Sequence, residues 1–507
     1  MAKDVIAVFD VGKTNKKVLI YDRTMNVLER RYRHFESEVV DGVELEPLEA
    51  IQEWFLDTLK ELSLEHHITS VGVTTHGATL VMLDEDGQVA CPVVSYTHTP
   101  PEELHDQFYA AMGSRRELQE RTATVELLPL INGAKLIYFT ARRWPEKYAR
   151  VRHLLFFPQY FAFLLTGVVT ADYTYAGCHS YFWDYQGWKW DEKIITGLGL
   201  EGRMPEAPQP SWCVAGTVSP AMVDRSGLAE DVSVTVGIHD SNASLLPYLL
   251  KKGNEEFVLN STGTWCVAMH PVPSRDGQRS EVSFAPEEIG KSVFFNISAF
   301  GDPVKTTILM GGLEFETYTK ILKELHRTED LPEFNRSLYQ RILDQRQYFI
   351  IPGVVAGTGQ FPGSRPRVIE GGREYPLEQI RSGAVVPPLF QDLPAAYAVL
   401  NLSIALQSRV ALQRVGLRPG LALFTEGGFR HNFDYNALLA AFFPENQVFV
   451  TGIEEATSLG AAITALAAQE QKEPSAYRDL FEIETFPVKL ESFRGLPEYE
   501  AAFLERV

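Results

Sequence analysis

Five short segments of this sequence hold residues whose types and spacing could do chemistry. In the first, the apolar run Val5–Phe9 delivers a carboxylate into the turn Asp10-Val11-Gly12-Lys13-Thr14-Asn15-Lys16-Lys17. Magnesium keeps most of its water and needs only one or two carboxylates beside nucleotide phosphates, so Asp10 suits it. Backbone N–H groups around Gly12, a Thr hydroxyl and Lys ammonium groups suit phosphate oxygens. The competing reading is a plain polar hairpin turn, and the spacing is not that of a Walker A loop. The second, Asn260-Ser261-Thr262-Gly263-Thr264, is another small polar turn that a phosphate could approach. In the third, the run Val232–Val236 ends in Gly237-Ile238-His239-Asp240-Ser241-Asn242. A carboxylate at the carboxyl end of a strand could accept a proton from an attacking hydroxyl. Asp240 or Ser241 could equally serve as a helix N-cap. In the fourth, Glu426-Gly427-Gly428 with Asn432 could let a flat base or ribose lie against the backbone, or could simply be a tight connection. The fifth, His76-Gly77, follows another apolar run, where a lone His is more often structural.

These segments need elements to hold them. Val5–Phe9 and Val18–Tyr21 read as a strand hairpin that Asn26 to Tyr32 could extend. Ile51, Phe55, Leu59 and Leu62 have helical spacing after Pro47, placed at the first turn. Ile68–Thr74 reads as a strand, and Leu80–Leu83 and Val89–Val94 flank the turn Asp84-Glu85-Asp86-Gly87. Such a mixture predicts an α/β domain with a mixed sheet. Near residue 250 the pattern restarts: Glu256–Leu259, the polar turn, then Trp265–Met269. Two such hairpins, one opening each half, predict a duplicated domain with a cleft between the copies. The second half continues with a long amphipathic stretch, Leu393 to Arg414, and a buried strand at Leu421–Thr425. A helix Tyr435–Phe443, a strand Gln447–Val450 and a close-packed helix Ala456–Ala468 follow. The charged tail after Gln469 reads as peripheral.

The chain has 507 residues, which at about 150 per domain allows two large or three smaller units. Its apolar fraction of 45% and charged fraction of 22% exclude a disordered or fibrous protein. A net charge of −19 argues against broad nucleic-acid binding. Four well-separated cysteines without a CxxC pair argue against a disulfide framework or zinc site, and for a reducing interior. No signal peptide is read at the amino terminus, and the stretch His153 to Val169 is read as a buried core helix rather than a membrane span. The expectation is a cytoplasmic protein without membrane or nucleic-acid partners, with a homodimer left open.

Taken in order, the segments resemble the FGGY family of carbohydrate kinases, from about residue 5 to 468. FDVGKTNKK resembles that family's first phosphate turn, THG at 75–77 a sugar-contacting segment, and LLFFPQYFAFLLTG its Pro-Asp-Tyr…Leu-Thr-Gly helix. GIHDSNAS is similar to the catalytic strand end, STGTW to the second phosphate turn, TEGGFRHN to the adenosine loop and EATSLGAA to the closing helix. The resemblance implies two ribonuclease H-like domains of the actin/hexokinase/Hsp70 ATPase type flanking a deep cleft. The sugar side would be 1–247 and the nucleotide side 248–507, with the tail from about 470. It implies ATP and Mg²⁺, with Asp240 as general base and Asp10 holding hydrated Mg²⁺. Gly12, Thr14, Asn15 and Lys17 would face the phosphates, with Gly263 and Thr264 opposite. Gly311, Gly427, Gly428 and Asn432 would lie on the nucleotide side, and His76, Gly77 and Asn242 would contact the sugar. The segment departs from the family where Trp-x-Asp-x-Arg is replaced by Tyr96-Thr97-His98-Thr99 and where Gln159 replaces the Asp of Pro-Asp-Tyr. The signature around Lys135 is also degenerate. HDSNAS and STGTW are most similar to kinases of the 6-deoxyketoses L-rhamnulose and L-fuculose. The alternatives are a pentulose or polyol kinase, or an inactive sugar or nucleotide sensor on the same fold. An Hsp70-like ATPase coupled to a peptide-binding module is poorer still.

Overall fold

The computed structural model describes residues 4–13, 15–272, 274 and 279–507. Two mixed sheets dominate it. In the first, Asp4–Val11 pairs antiparallel with Asn15–Asp22, which pairs antiparallel with Val27–His34. On its other side Asp4–Val11 pairs parallel with His67–Thr75, followed by Ser233–Thr235 and Ile238–His239, both parallel. Asp4–Val11 is buried from Val5 onward, as expected of a central strand covered on both faces. Val27–His34 is mostly exposed and forms the edge.

The second sheet repeats that order. Phe257–Thr262 pairs antiparallel with Cys266–Pro271, which pairs antiparallel with Pro303–Leu309. On the other side it pairs parallel with Ala422–Gly427, and that strand with Gln447–Thr451. The repeat seen in the two hairpins therefore extends through five strands of each sheet.

Two helices cross between the sheets. Ala456–Glu470 comes from the end of the sequence yet lies on the first sheet, where its Ala461, Ala462 and Ala465 pack with Ile6, Val8 and Leu19. A Cβ at Gly72 would lie 2.6 Å from the Ala461 carbonyl, so only glycine admits the helix this closely. Asp240–Lys252 packs its Leu245 and Tyr248 against Phe257, Leu259 and Phe424 of the second sheet. Each half thus covers a sheet with a helix that begins at the cleft. A further tie is the edge strand Val293–Ile297, whose Phe294, Phe295 and Ile297 enter the core of the first half. The Phe295 N–H donates to the Ala123 carbonyl at 2.9 Å.

Several local expectations are corrected. Pro47 is the N-cap of the helix Leu48–Ser63, not in its first turn, although Ile51, Phe55, Leu59 and Leu62 are buried as expected. The turn at Asp84 forms, with Gly87 at φ +74°, but Val89–Val94 makes only isolated bridges. Leu80–Leu83 instead pairs with His153–Phe156. The apolar stretch 153–169 is therefore a strand followed by the helix Phe157–Thr166, because Pro158 starts a helix readily and Gly167 at φ +74° ends it. Leu393–Arg414 is one helix, buried without a break from Ala395 to Ser408 rather than amphipathic. By length and composition it is apolar enough to cross a membrane, but it is packed inside the protein.

The tail is not loosely attached. Thr485–Pro487 adds an antiparallel strand to the second sheet, and the helix Leu496–Leu504 buries Leu496, Tyr499 and Phe503. The Tyr499 hydroxyl donates to the Tyr348 carbonyl at 2.6 Å. Tyr499→Phe should lower stability by about 1 kcal/mol, read from the denaturant midpoint. An unchanged midpoint would mean that the tail is not docked through this bond.

Candidate active site

A cavity of about 440 Å³ lies between the sheets, lined by residues of both hairpins and by the cleft ends of both crossing helices. Asp240 faces it at the end of Ile238–His239, which His67–Thr75 positions through the pairs Ile238–Thr74 and His239–Thr75. The choice between catalytic carboxylate and N-cap resolves locally. His239 is the N-cap residue, its ring accepting from the Ser241 N–H at 3.2 Å. Asp240 opens the helix and its side chain remains 34% exposed to the cavity. Its Oδ1 accepts from the Ser241 N–H at 2.6 Å and the Ser241 hydroxyl at 3.2 Å. The protein walls remove enough water to push its pKa up to about 6, with the Ser241 bonds opposing.

Asp10 ends the first strand opposite Lys17, whose Nζ lies 3.9 Å from Oδ2. The Ser458 hydroxyl donates to Asp10 at 2.8 Å, and Lys17 donates to Glu455 at 2.8 Å. Burial pushes Asp10 up to about 6, with Lys17 opposing and Glu455 and Asp240 adding to the rise. Asp10, Asp240 and Glu455 lie near enough to repel one another electrostatically, although of the three only Asp240 lines the cavity, so a cation held by Asp10 would be held through water. That donor set fits a hard, hydrated cation such as Mg²⁺.

The first turn divides its lysines. Lys13 lines the cavity but donates to Ser37 at 2.8 Å, to Ser95 at 2.6 Å and to Glu46. Lys16 is buried on the opposite face of its strand and donates to the Lys13 carbonyl at 2.7 Å. Strand side chains alternate in direction, so Lys16 and Lys17 cannot serve the same phosphate. Gly12 is required by the turn, since a Cβ there would lie 2.9 Å from the Asn15 carbonyl. Neither Gly12 nor the exposed Asn15 lines the cavity, and Thr14 lies outside the described residues.

The second turn enters the cavity with Ser261, Thr262, Gly263 and Thr264, joined by Glu426 and Gly427. The Thr262 hydroxyl donates to the Glu426 carbonyl and accepts from the Phe429 N–H at 2.9 Å. Gly427 has φ +74°, and a Cβ there would lie 1.9 Å from the Thr262 carbonyl. Gly311 and Gly428 do not line the cavity. Gly311 instead lets its helix pack on the hairpin, where a Cβ would lie 2.7 Å from Cys266 Sγ. Asn432 is also outside the lining, with its side chain capping the helix Phe433–Phe442 and bonding Asn401 at 2.8 Å.

At the other end His76 and Gly77 line the cavity, but Asn242 is buried behind it. Burial drives the His76 pKa down to about 4, and its Nε2 has no partner. His179 and His239 are likewise neutral, each pushed down to about 3 mainly by burial. Tyr96 and Asn296 complete the polar lining, with Ile131, Phe294 and Ile308 as the apolar part. Trp265 of the second half and Tyr96 of the first both line the cavity.

His179, Tyr96, Asn296, Glu426 and Glu455 were not assigned from the sequence. His179 owes its direction to a backbone φ of +40°, which the sequence does not announce. Glu426 adjoined two glycines that drew the attention, yet its carboxyl lines the cavity and burial pushes it up to about 7. Gln159 lies outside the site, buried and donating to the Val236 carbonyl at 2.9 Å just before the catalytic strand end.

Residues 5–247 match the profile of the FGGY family of carbohydrate kinases, N-terminal domain, and residues 254–474 that of the carbohydrate kinase FGGY C-terminal domain. A rhamnulokinase of Pectobacterium carotovorum is 25% identical over 271 residues, 52% of this chain; the chain spans about half, 52%, of that relative's length. Among solved structures, a carbohydrate kinase from Novosphingobium aromaticivorans is 25% identical with a TM-score of 0.76, covering 100% of this chain and 99% of its own. A ligand-bound xylulose kinase from Lactobacillus acidophilus has a TM-score of 0.77 at 14% identity, covering 99% and 96%.

Proposed function

The chain belongs to the FGGY family of carbohydrate kinases, and from that premise we propose that it transfers the γ-phosphoryl group of ATP to a terminal hydroxyl of an uncharged ketose. The observation that carries this reading is the position of Asp240. It lines one cavity with Lys13 and Lys17 of the first hairpin, the second polar turn and three histidines that burial keeps neutral. The sugar hydroxyl oxygen attacks the γ-phosphorus, the bond from that phosphorus to the β,γ-bridging oxygen breaks, and ADP leaves. The hydroxyl proton passes to the Asp240 carboxylate. Lys17 and the N–H groups of the second turn orient the phosphates and meet their charge. Asp10 would hold hydrated Mg²⁺, which when bound neutralises phosphate charge. We place the division between the sugar-side and nucleotide-side units near residue 248.

The substrate reading rests on the pocket's chemistry. Its polar groups, His76, His179, His239, Asn296 and Tyr96, are uncharged donors and acceptors suited to hydroxyls. Among the described residues, the cations that line the cavity, Lys13 and Lys17, are already paired with Glu46 and Glu455. A sugar acid would therefore find no free counter-charge. Ile131, Phe294 and Ile308 suit a terminal methyl, so a 6-deoxyketohexose such as L-rhamnulose or L-fuculose is preferred over a pentulose or polyol. Retention of Asp10 and Asp240 favours an active kinase over a sensor.

The test is ADP release with Mg-ATP over L-rhamnulose, L-fuculose, D-xylulose, glycerol and D-gluconate. The 6-deoxyketoses should give the highest kcat/KM and gluconate none; ADP release that no sugar stimulates would overturn the reading. The pH profile follows from Asp240. Its base function needs the ionised form and its pKa is raised to about 6, so activity is retained above that value. Below about pH 6, kcat/KM should fall roughly tenfold per pH unit. A flat profile down to pH 4.5 would remove Asp240 as the base.

A further inference from the structure

Cys178, His179 and His239 bring one ligand atom each to within 4.8 Å of one another at the sugar end of the cavity. They arrive from separate elements: the first two follow the helix Tyr173–Ala176, and His239 ends the catalytic strand. The imidazoles converge. A Cβ at Gly77 would lie 2.5 Å from His239 Nε2 and 2.8 Å from His179 Nε2, so the glycine leaves open the space on which both nitrogens bear. His239 Nε2 is buried without a partner.

The opposite ring nitrogens are placed as in metal-binding histidines. His179 Nδ1 lies 3.2 Å from the Ile131 carbonyl, which can only accept, so that nitrogen carries the proton and Nε2 keeps its lone pair. His239 Nδ1 lies 3.2 Å from Asp240 Oδ1. The Ser241 N–H that also reaches this Nδ1 has its shorter bond to the same carboxylate, at 2.6 Å. Cation binding at Nε2 therefore moves the His239 proton to Nδ1, where Asp240 accepts it in place of the cap bond from Ser241, whose N–H keeps its 2.6 Å bond to the same carboxylate. A carbonyl or carboxylate behind each histidine is the usual outer shell of a zinc site.

We infer that Cys178, His179 and His239 form a site for one thiophilic divalent cation, Zn²⁺ or its analogues Co²⁺ and Cd²⁺, and that its occupancy excludes sugar. Three protein ligands with a fourth position open to the cavity is a common zinc arrangement. Bond lengths near 2.0–2.3 Å imply tetrahedral ligand spacings of roughly 3.3–3.8 Å, so binding draws the three groups together. Mg²⁺ prefers oxygen donors and would not compete here. The cation would take up His239 and the space beside Asp240, both needed by the sugar. Only this exclusion rests on the sugar-kinase reading; the cation site itself does not.

The experiment titrates Co²⁺ into the full-length protein, freed of other transition metals, in Mg²⁺ buffer. One Co²⁺ per chain should bind with thiolate-to-cobalt charge-transfer and tetrahedral d–d bands, and Zn²⁺ should displace it. Cys178→Ser should lose the charge-transfer band, whereas Cys213→Ser should keep it. Zn²⁺ at ten times its dissociation constant should raise the apparent KM for L-rhamnulose about tenfold without lowering kcat. Absence of the thiolate band in the unmodified protein overturns the site, as does its persistence in Cys178→Ser. A thiolate band that saturating sugar leaves unchanged overturns the exclusion. The kinase reading fails separately, as sugar-independent ADP release in metal-scrubbed Mg²⁺ buffer.

Discussion

Asp240→Asn is expected to lower sugar-dependent turnover roughly a thousandfold while leaving ATP affinity within a factor of two or so, because an amide cannot take the hydroxyl proton. The substitution is nearly isosteric. An Asn Oδ1 can keep the bonds that Asp240 accepts from the Ser241 N–H and hydroxyl, and His239 still caps the helix. Loss of activity would therefore report lost chemistry rather than a displaced strand end. Two measurements separate the cases: initial rate of sugar-dependent ADP release, and equilibrium binding of ATP. Turnover within tenfold of the unmodified protein would remove Asp240 from the base role. A collapse of ATP binding together with turnover would instead indicate a structural role at the domain junction.

The sequence made the framework legible where one residue pattern had one physical meaning. Val5–Phe9 is continuously apolar because its strand is covered on both faces, and such a run followed by Asp and Gly has few other readings. Repetition of that hairpin at 257–271 exposed the duplication. Legibility failed where distant partners decide. Val89–Val94 has strand composition, but His153–Phe156 takes the pairing that a local hairpin would have used. The polar residues of Leu393–Arg414 suggested a wet face, yet Asn401 and Gln407 are buried and hydrogen-bonded. The charged tail hid Leu496, Tyr499 and Phe503, spaced three and four apart on one helical face.

The site divides in the same way. Asp240 and the second turn were legible because strand-end chemistry is local, and the structure brings Asp240, Gly263 and Thr264 to one cavity. Gly311 and Asn432 carry suitable freedom or side chains but are spent on packing and capping, and Asn242 is buried outside the cavity lining with neither side-chain polar atom hydrogen-bonded. The net charge of −19 was similarly uninformative about phosphate, since the relevant quantity is which face of one strand each lysine occupies. Lys17 faces the cleft, whereas Lys16 does not.

Gly460→Ala is expected to destabilise the protein by about 2 kcal/mol and to lower kcat by up to about 100-fold, although the residue touches no part of the cavity. A Cβ at this position would lie 1.9 Å from the Ala243 carbonyl oxygen and 2.6 Å from its carbon. The obstacle is backbone, so no rotamer change relieves it; one of the two crossing helices must move. Alanine's higher helix propensity returns about 1 kcal/mol, which is less than the overpacking cost. The moving parts are the ones that matter for transfer. Ala243 lies one helical turn from Asp240, and Gly460 two residues from Ser458, which holds Asp10 at 2.8 Å. Misplacement of a reacting group by about 1 Å is enough for the predicted rate loss. Adding Ala243→Gly should not restore either property, because it removes a methyl group and leaves the carbonyl in place. Thermal melts and sugar-dependent kcat on the two variants test this. Gly460→Ala with an unchanged melt and rate would mean that the crossing is looser than 1.9 Å requires, and rescue by Ala243→Gly would move the contact from backbone to side chain.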